Sequence, residues 1–265
     1  MTVGFATTGD GCRLAYSFDG PEGAPVLLLS NSLGTDMGMW DQQLDAFAPH
    51  FRVLRYDSRG HGKSDAPAGG YSLDRLGRDV IELLDIVHVD IVDFCGLSLG
   101  GMIGQWLSVR APERIRRLIL ANTSAYMGPP ANWDARIQTV LKDGMAPLAE
   151  ASVARWFTPT FAASGSSDLE RIRDGLRTTD PVGYAGCCAA IRDMDMRKHV
   201  SLNTLPTRII AGSLDPATPL PDSELLAGAM LHASLTTLEA AHLSNVEQPD
   251  GFADTVIDFL TFDRR

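Results

Sequence analysis

The chain has 265 residues, and its 33 acidic against 23 basic side chains leave a formal net charge of −10. That length buries enough apolar surface for one or two domains without metal or disulfide staples, and 45% hydrophobic with 21% charged residues excludes disordered, collagenous and coiled-coil classes. The acidic excess repels phosphate backbones and anionic membranes, which argues against nucleic-acid or membrane partners and poses a difficulty for an anionic small substrate.

The first ten residues lack the charged and apolar regions of a signal peptide, and no window reaches the roughly 18 apolar residues of a membrane span, so a cytoplasmic location is expected. Residues 3–7 and 13–18, joined by Gly9-Asp10-Gly11, read as an antiparallel hairpin. Short runs rich in branched residues at 26–29, 53–56, 89–95, 118–120, 208–211 and 235–238 read as strands. Between them lie helical stretches such as 72–87, where Leu73, Leu76, Val80, Leu83 and Leu84 keep helical spacing behind Ser72 as cap. Strand and helix alternating in this way predict a mostly parallel sheet with helices on both faces. The alternation stops over residues 124–206, which open with Met127-Gly128-Pro129-Pro130 and contain only short helical patterns. This stretch is expected to be a helical lid over the carboxyl edge of the sheet, where open parallel sheets place their ligands. Cys12, Cys95, Cys187 and Cys188 have neither Cys-x-x-Cys nor metal-ligand spacing and read as reduced thiols; no metal or cofactor is expected.

Gly96-Leu97-Ser98-Leu99-Gly100 follows the strand at 89–95 and precedes a helix expected to begin near Gly101. That context is a nucleophile elbow, in which a serine stands on a strained turn between closely packed elements. A serine hydroxyl needs a general base, and the base needs an acid that fixes its tautomer. His242 follows the last strand in Glu239-Ala240-Ala241-His242 and is preferred as base over His232, which precedes that strand. Asp215, just past the strand at 208–211, is preferred as acid over Asp222, which reads as the cap of a following helix. The oxyanion needs two backbone donors: the amide after the nucleophile, Leu99, and one from the loop Ser30-Asn31-Ser32-Leu33-Gly34, for which Leu33 is selected.

With Asp57-Ser58-Arg59-Gly60-His61-Gly62-Lys63-Ser64, these residues resemble the α/β-hydrolase superfamily over nearly the whole chain. The resemblance implies an α/β fold with a mostly parallel twisted sheet of about eight strands, residues 1–123 and 207–265 forming the core and 124–206 the lid. Within the superfamily, Ser30-Asn31-Ser32-Leu33-Gly34-Thr35, Cys95-Gly96-Leu97-Ser98-Leu99-Gly100-Gly101-Met102, Cys188-Ala189-Ala190-Ile191-Arg192-Asp193-Met194-Asp195 and Ala241-His242-Leu243-Ser244-Asn245-Val246-Glu247-Gln248-Pro249 resemble the β-ketoadipate enol-lactonases of bacterial aromatic catabolism. Asn31-Ser32 stands where the superfamily loop commonly has His-Gly, a departure that those lactonases tend to share. The resemblance implies a carboxylic ester hydrolase that opens an enol-lactone to β-ketoadipate. Alternatives are a carbon–carbon hydrolase of ring-cleavage pathways, a general carboxylesterase or haloperoxidase-like enzyme, and a receptor-like protein that binds its ligand without turnover. Leu243 stands where the carbon–carbon hydrolases usually carry an aromatic residue.

The substrate of such a lactonase is a small anion, so a cation must face it. Arg192 in the lid is the leading candidate, with pairing to Asp193 or Asp195 as its competing role, and Trp133 is expected to offer an apolar wall or an indole donor. Arg59 reads as a structural brace. Residues 124–206 hold nine basic and nine acidic side chains, so the whole acidic excess lies outside the lid, which is locally basic over residues 192–199. The substrate carboxylate is therefore expected to face the lid. The sequence leaves the oligomeric state open, with a homodimer as one arrangement.

Overall fold

The central strand segments 26–30, 92–97 and 115–121 are buried along almost their whole length, as in a sheet covered on both faces. The computed structural model describes residues 2–262. Among them are the strands β1 (Gly4–Thr7), β2 (Arg13–Asp19), β3 (Val26–Ser30), β4 (Arg52–Tyr56), β5 (Val92–Leu97), β6 (Ile115–Ala121), β7 (Thr207–Gly212) and β8 (Ala233–Leu238). They form one sheet in the order β1-β2-β4-β3-β5-β6-β7-β8. The β1–β2 and β2–β4 pairs are antiparallel and the other pairs are parallel, so the expected hairpin joins the sheet at its edge.

The helices are α1 (Leu44–Phe47), α2 (Leu73–Ile86) and α3 (Leu99–Arg110), then α4 (Pro130–Asp143), α5 (Ala146–Trp156), α6 (Pro159–Ala162), α7 (Ser167–Thr178) and α8 (Pro181–Asp193) between β6 and β7. The chain closes with α9 (Leu220–Ala229), α10 (Ser244–Glu247) and α11 (Pro249–Thr261). Ser72 caps α2 as its sequence suggests, its Oγ accepting from Arg75 N at 3.1 Å. No helix among the described residues is long and apolar enough to cross a membrane.

The central strand differs from its expected span, since β5 begins at Val92 and not at Val89. Residues 87–89 close α2 instead: His88 is left-handed at φ 56°, Val87 N donates to Leu83 O and Val89 N donates to Leu84 O. The Arg114 side chain takes up the carbonyls of Val89 and Asp90 at 3.0 and 2.7 Å, which leaves Ile91 on the surface. At the other end α3 starts at Leu99, directly after the serine, and most of its residues are buried.

Arg59 is a brace, as expected. Its Nε and Nη2 bind both oxygens of the buried Asp79 on α2, at 2.5 and 2.6 Å, and Nη1 reaches Asp10 at 3.1 Å. Its carbonyl accepts from Cys187 Sγ of α8, so one residue ties β4's following loop to both α2 and α8. Breaking one partner of a buried ion pair leaves the other charge uncompensated, so Arg59→Ala should cost about 3–5 kcal/mol in urea unfolding. A loss below about 1 kcal/mol would remove Arg59 from this role.

Candidate active site

Ser98 sits between β5 and α3 with φ 56° and ψ −112°, a left-handed conformation unfavourable for a residue with a side chain. Such strain costs on the order of 1–3 kcal/mol and persists only where the surroundings impose it. Here Ser98 N donates to Ala121 O at 2.9 Å, while Ser98 O accepts from Thr123 Oγ1 and Met102 N. The flanking glycines are required by space: a Cβ on Gly96 would lie 2.2 Å from Gly100 O, and one on Gly100 would lie 2.1 Å from Ser30 O. The Ser98 hydroxyl itself is held by no hydrogen bond among the described residues and lines a cavity shared with His242. In substrate-free sites the bond between nucleophile and base is often open and closes on binding.

His242 Nδ1 lies 2.8 Å from Asp215 Oδ2, with both side chains buried. Oδ2 also accepts from Thr218 Oγ1 at 2.7 Å and Asn122 Nδ2 at 3.0 Å, and Oδ1 accepts from the amides of Ala217 and Thr218. Burial by itself would raise the Asp215 pKa; the adjacent imidazole and the donors from Thr218 and Asn122 outweigh it and hold the carboxyl below its ordinary value. The acid therefore stays ionised and directs the Nδ1 proton of His242 toward itself, leaving Nε2 to act as base. His242 pairs with Asp215 and not with Asp222, which does not cap its helix either. The helix α9 starts earlier, behind Pro219, because Pro221 fits a first turn whose N–H groups have no helical partner.

Asn122 escaped sequence reasoning. It is buried and left-handed at φ 43°, donates to both Asp215 Oδ2 and Ala241 O, and accepts from Ser244 Oγ at 2.6 Å. One amide thus spans the acid loop and the histidine loop. Its only trace in the sequence is the polar run Asn122-Thr123-Ser124 at the end of an apolar strand.

The loop after β3 is held by its own polar side chains. Asn31 turns inward, donating to Tyr56 O and accepting from Trp40 Nε1, both at 2.8 Å, which accounts for Asn in a buried position. Gly100 N donates to Asn31 O, and Gly34 N donates to His61 Nε2 at 2.9 Å. With their neighbours committed, the amides of Leu33 and Leu99 donate to no other group among the described residues, and Leu33 lines the cavity beside Ser98. Two unpaired amides on either side of a serine suit a developing oxyanion.

The cavity measures about 240 Å³. Trp133 forms part of its wall, and its indole N–H is spent on Met127 O at 2.6 Å, so it offers surface and not a donor. Arg192 does not reach the cavity. Its guanidinium binds Asp134 at 2.8 Å and both oxygens of Asp193 at 2.7 and 2.8 Å, which consumes its fork of donors. Arg197 is likewise paired with Asp195, so both arginines of the stretch 192–199 are neutralised locally. The cations that line the cavity are Arg136 and Arg155, neither of which has a carboxylate partner among the described residues. Burial, followed by the charge of Arg136, presses the Arg155 pKa below its ordinary value. The signal for Arg136 was its spacing of three from Trp133, which puts both on one face of α4.

Comparison with known proteins bears on this geometry. The family model for the alpha/beta hydrolase fold matches residues 25–249. The 3-oxoadipate enol-lactonase 2 of Acinetobacter baylyi is 41% identical over 249 residues, covering 94% of this chain and 93% of that relative. Among solved structures, a hydrolase from Pseudomonas aeruginosa PA01 is 49% identical with a TM-score of 0.96, covering 98% of both chains. The enol-lactonase from Burkholderia xenovorans LB400 is 42% identical with a TM-score of 0.95, covering 97% of this chain and all of that one.

The contact between Gly34 and His61 carries a pH dependence. Burial lowers the His61 pKa to about 4, and its neutral ring accepts from Gly34 at Nε2 while Nδ1 faces Arg59 O at 3.2 Å. An unfolded histidine takes its proton near pH 6.5 and the folded one does not, so this stability is full above 6.5 and is lost as pH falls toward 4. Asp57 acts in the opposite sense, because burial raises its carboxyl to about 6 and its charge weakens the fold as pH rises through that range. Comparison of the wild type with His61→Gln isolates the histidine: between pH 7 and 5 the wild type should lose about 2 kcal/mol more than the variant in urea unfolding. Parallel pH curves would contradict a buried neutral His61.

Proposed function

Because the chain belongs to the alpha/beta hydrolase fold family, we propose that it is a carboxylic ester hydrolase of the 3-oxoadipate enol-lactonase type, with Ser98 as nucleophile, His242 as base and Asp215 as acid. The observation that carries the substrate class is the pair Arg136 and Arg155, two cations without carboxylate partners lining the cavity of Ser98 and His242. Two guanidiniums held together in a small, partly apolar space repel each other until an anion enters, and a planar carboxylate matches their donor geometry. The free carboxylate of the lactone is assigned to them, and the ring carbonyl to Ser98.

In this reading His242 Nε2 takes the Ser98 proton as Oγ attacks the lactone carbonyl, and Asp215 holds the resulting imidazolium. The amides of Leu33 and Leu99 receive the oxyanion; one such donor is typically worth about 3–4 kcal/mol. Collapse expels the ring oxygen as an enolate, which takes the proton from His242 and becomes a ketone. A water activated by His242 then cleaves the acyl-enzyme and frees the second carboxylate. Ketone formation draws the ring-opening forward. The four free, buried cysteines favour a reducing compartment, and we assign the activity to the cytoplasm.

The decay of enol-lactone absorbance tests the proposal with purified protein. Ser98→Ala should lower kcat by about a thousandfold or more. Arg155→Ala and Arg136→Ala should each raise KM for the anionic lactone by about tenfold or more while leaving KM for a neutral aryl ester within about twofold. Equal losses on both substrates would overturn the carboxylate assignment.

A further inference from the structure

The reaction proposed above requires His242 at a set position relative to Ser98, and its hold extends beyond Asp215. We infer that Glu247 is a positioning residue that fastens the histidine loop to the lid, so that the seating of the lid segment at Arg155 and Trp156 determines where His242 stands. The inference rests on the hydrolase reading and adds to it a residue outside the triad.

Glu247 closes α10 and is half-buried. Its Oε2 accepts from Ala241 N, the amide directly before the histidine, at 2.9 Å. Both its oxygens accept from Thr158 N at 3.3 Å, and Thr158 Oγ1 donates to Oε1. On the far side of the histidine, Leu243 N donates to Trp156 O at 3.0 Å. The amides on either side of His242 are therefore both committed to the segment that leaves α5, one directly and one through the carboxylate. That segment carries Arg155 and Trp156, which line the cavity with His242. No Lys or Arg is paired with Glu247 among the described residues, so three N–H and O–H donors balance its charge. An ionised carboxylate accepts all of them at once. A glutamine keeps the shape but replaces one acceptor oxygen with an NH2 group, which faces a donor and releases either Ala241 or Thr158.

Glu247→Gln, Thr158→Val and the double variant are compared with the wild type on 3-oxoadipate enol-lactone, on p-nitrophenyl acetate, and in the rate of labelling by a fluorophosphonate that captures the elbow serine. Assays run well below the melting transition of each variant. A shift of about 1 Å at a catalytic group can cost on the order of 100-fold, so Glu247→Gln should lower kcat on both substrates by about 10- to 100-fold, with KM within about threefold. Thr158→Val, which removes one donor and is the milder change, should lose less, and the double variant no more than Glu247→Gln, because both act through one contact. Labelling should slow in parallel with kcat. Unchanged labelling in folded Glu247→Gln, or a rise confined to KM for the lactone, would overturn the inference. A wild type that labels rapidly but leaves the lactone intact would count against the substrate class alone, and the labelling rates of the variants would still decide the role of Glu247.

Discussion

The site depends on one buried charge. A carboxylate removed from water is costly unless it is fully hydrogen-bonded, and Asp215 meets that condition with two backbone amides, a hydroxyl, an amide side chain and the His242 ring. The donors come from three places: the turn between β7 and α9, which supplies Ala217 and Thr218, Asn122 just past β6, and the histidine loop after β8. Satisfying the acid therefore draws three strand ends into one arrangement, and the same bonds fix the tautomer of the base. The strained conformation of Asn122 is held by this network, since its side chain bridges the two loops that carry acid and base.

Around this centre the fold uses close backbone approach where side chains would interfere. Gly96 and Gly100 allow β5, α3 and the end of β3 to meet at the elbow, which places Ser98 above the sheet with the Leu99 amide unpaired. The opposing loop is kept open by polar side chains turned away from the cavity: Asn31 into the body and His61 against Gly34. Residues outside the cavity thus leave the Leu33 and Leu99 amides without a partner among the described residues, which is what the proposed oxyanion site requires.

The charge pattern is compatible with the anionic substrate proposed for this acidic protein. The acidic excess lies outside residues 124–206, and most arginines of that stretch are neutralised by neighbours one to four residues away or on an adjacent helix. Arg136 and Arg155 differ in lining the cavity, where no carboxylate among the described residues meets them. The sequence expects the substrate carboxylate to face residues 124–206; Arg192, its candidate there, is taken up by Asp134 and Asp193, and the receivers proposed instead are Arg136 and Arg155 of the same stretch. Sequence proximity favoured Arg192 as a cation, and the same proximity supplied Asp193 to consume it.

The succession of strands along the chain, the elbow, the helical stretch between β6 and β7, and the pairing of Asp215 with His242 were legible in the sequence, because each is written locally: branched runs, glycines at set spacing, polar residues just past strand ends. Strand limits were less legible where two elements compete for the same residues, as when the end of α2 takes 87–89 from β5. The roles of Asn122, His61, Glu247 and the inward arginines were less legible, since each rests on a group distant in the chain: Asp215 for Asn122, Gly34 for His61, Thr158 for Glu247, and the cavity of Ser98 and His242 for the arginines. Local sequence determined which chemical groups this protein possesses. Only tertiary structure decided which charges remain unpaired and which loops are tied together, because hydrogen-bond and ion-pair satisfaction is a property of the folded neighbourhood and not of the residue.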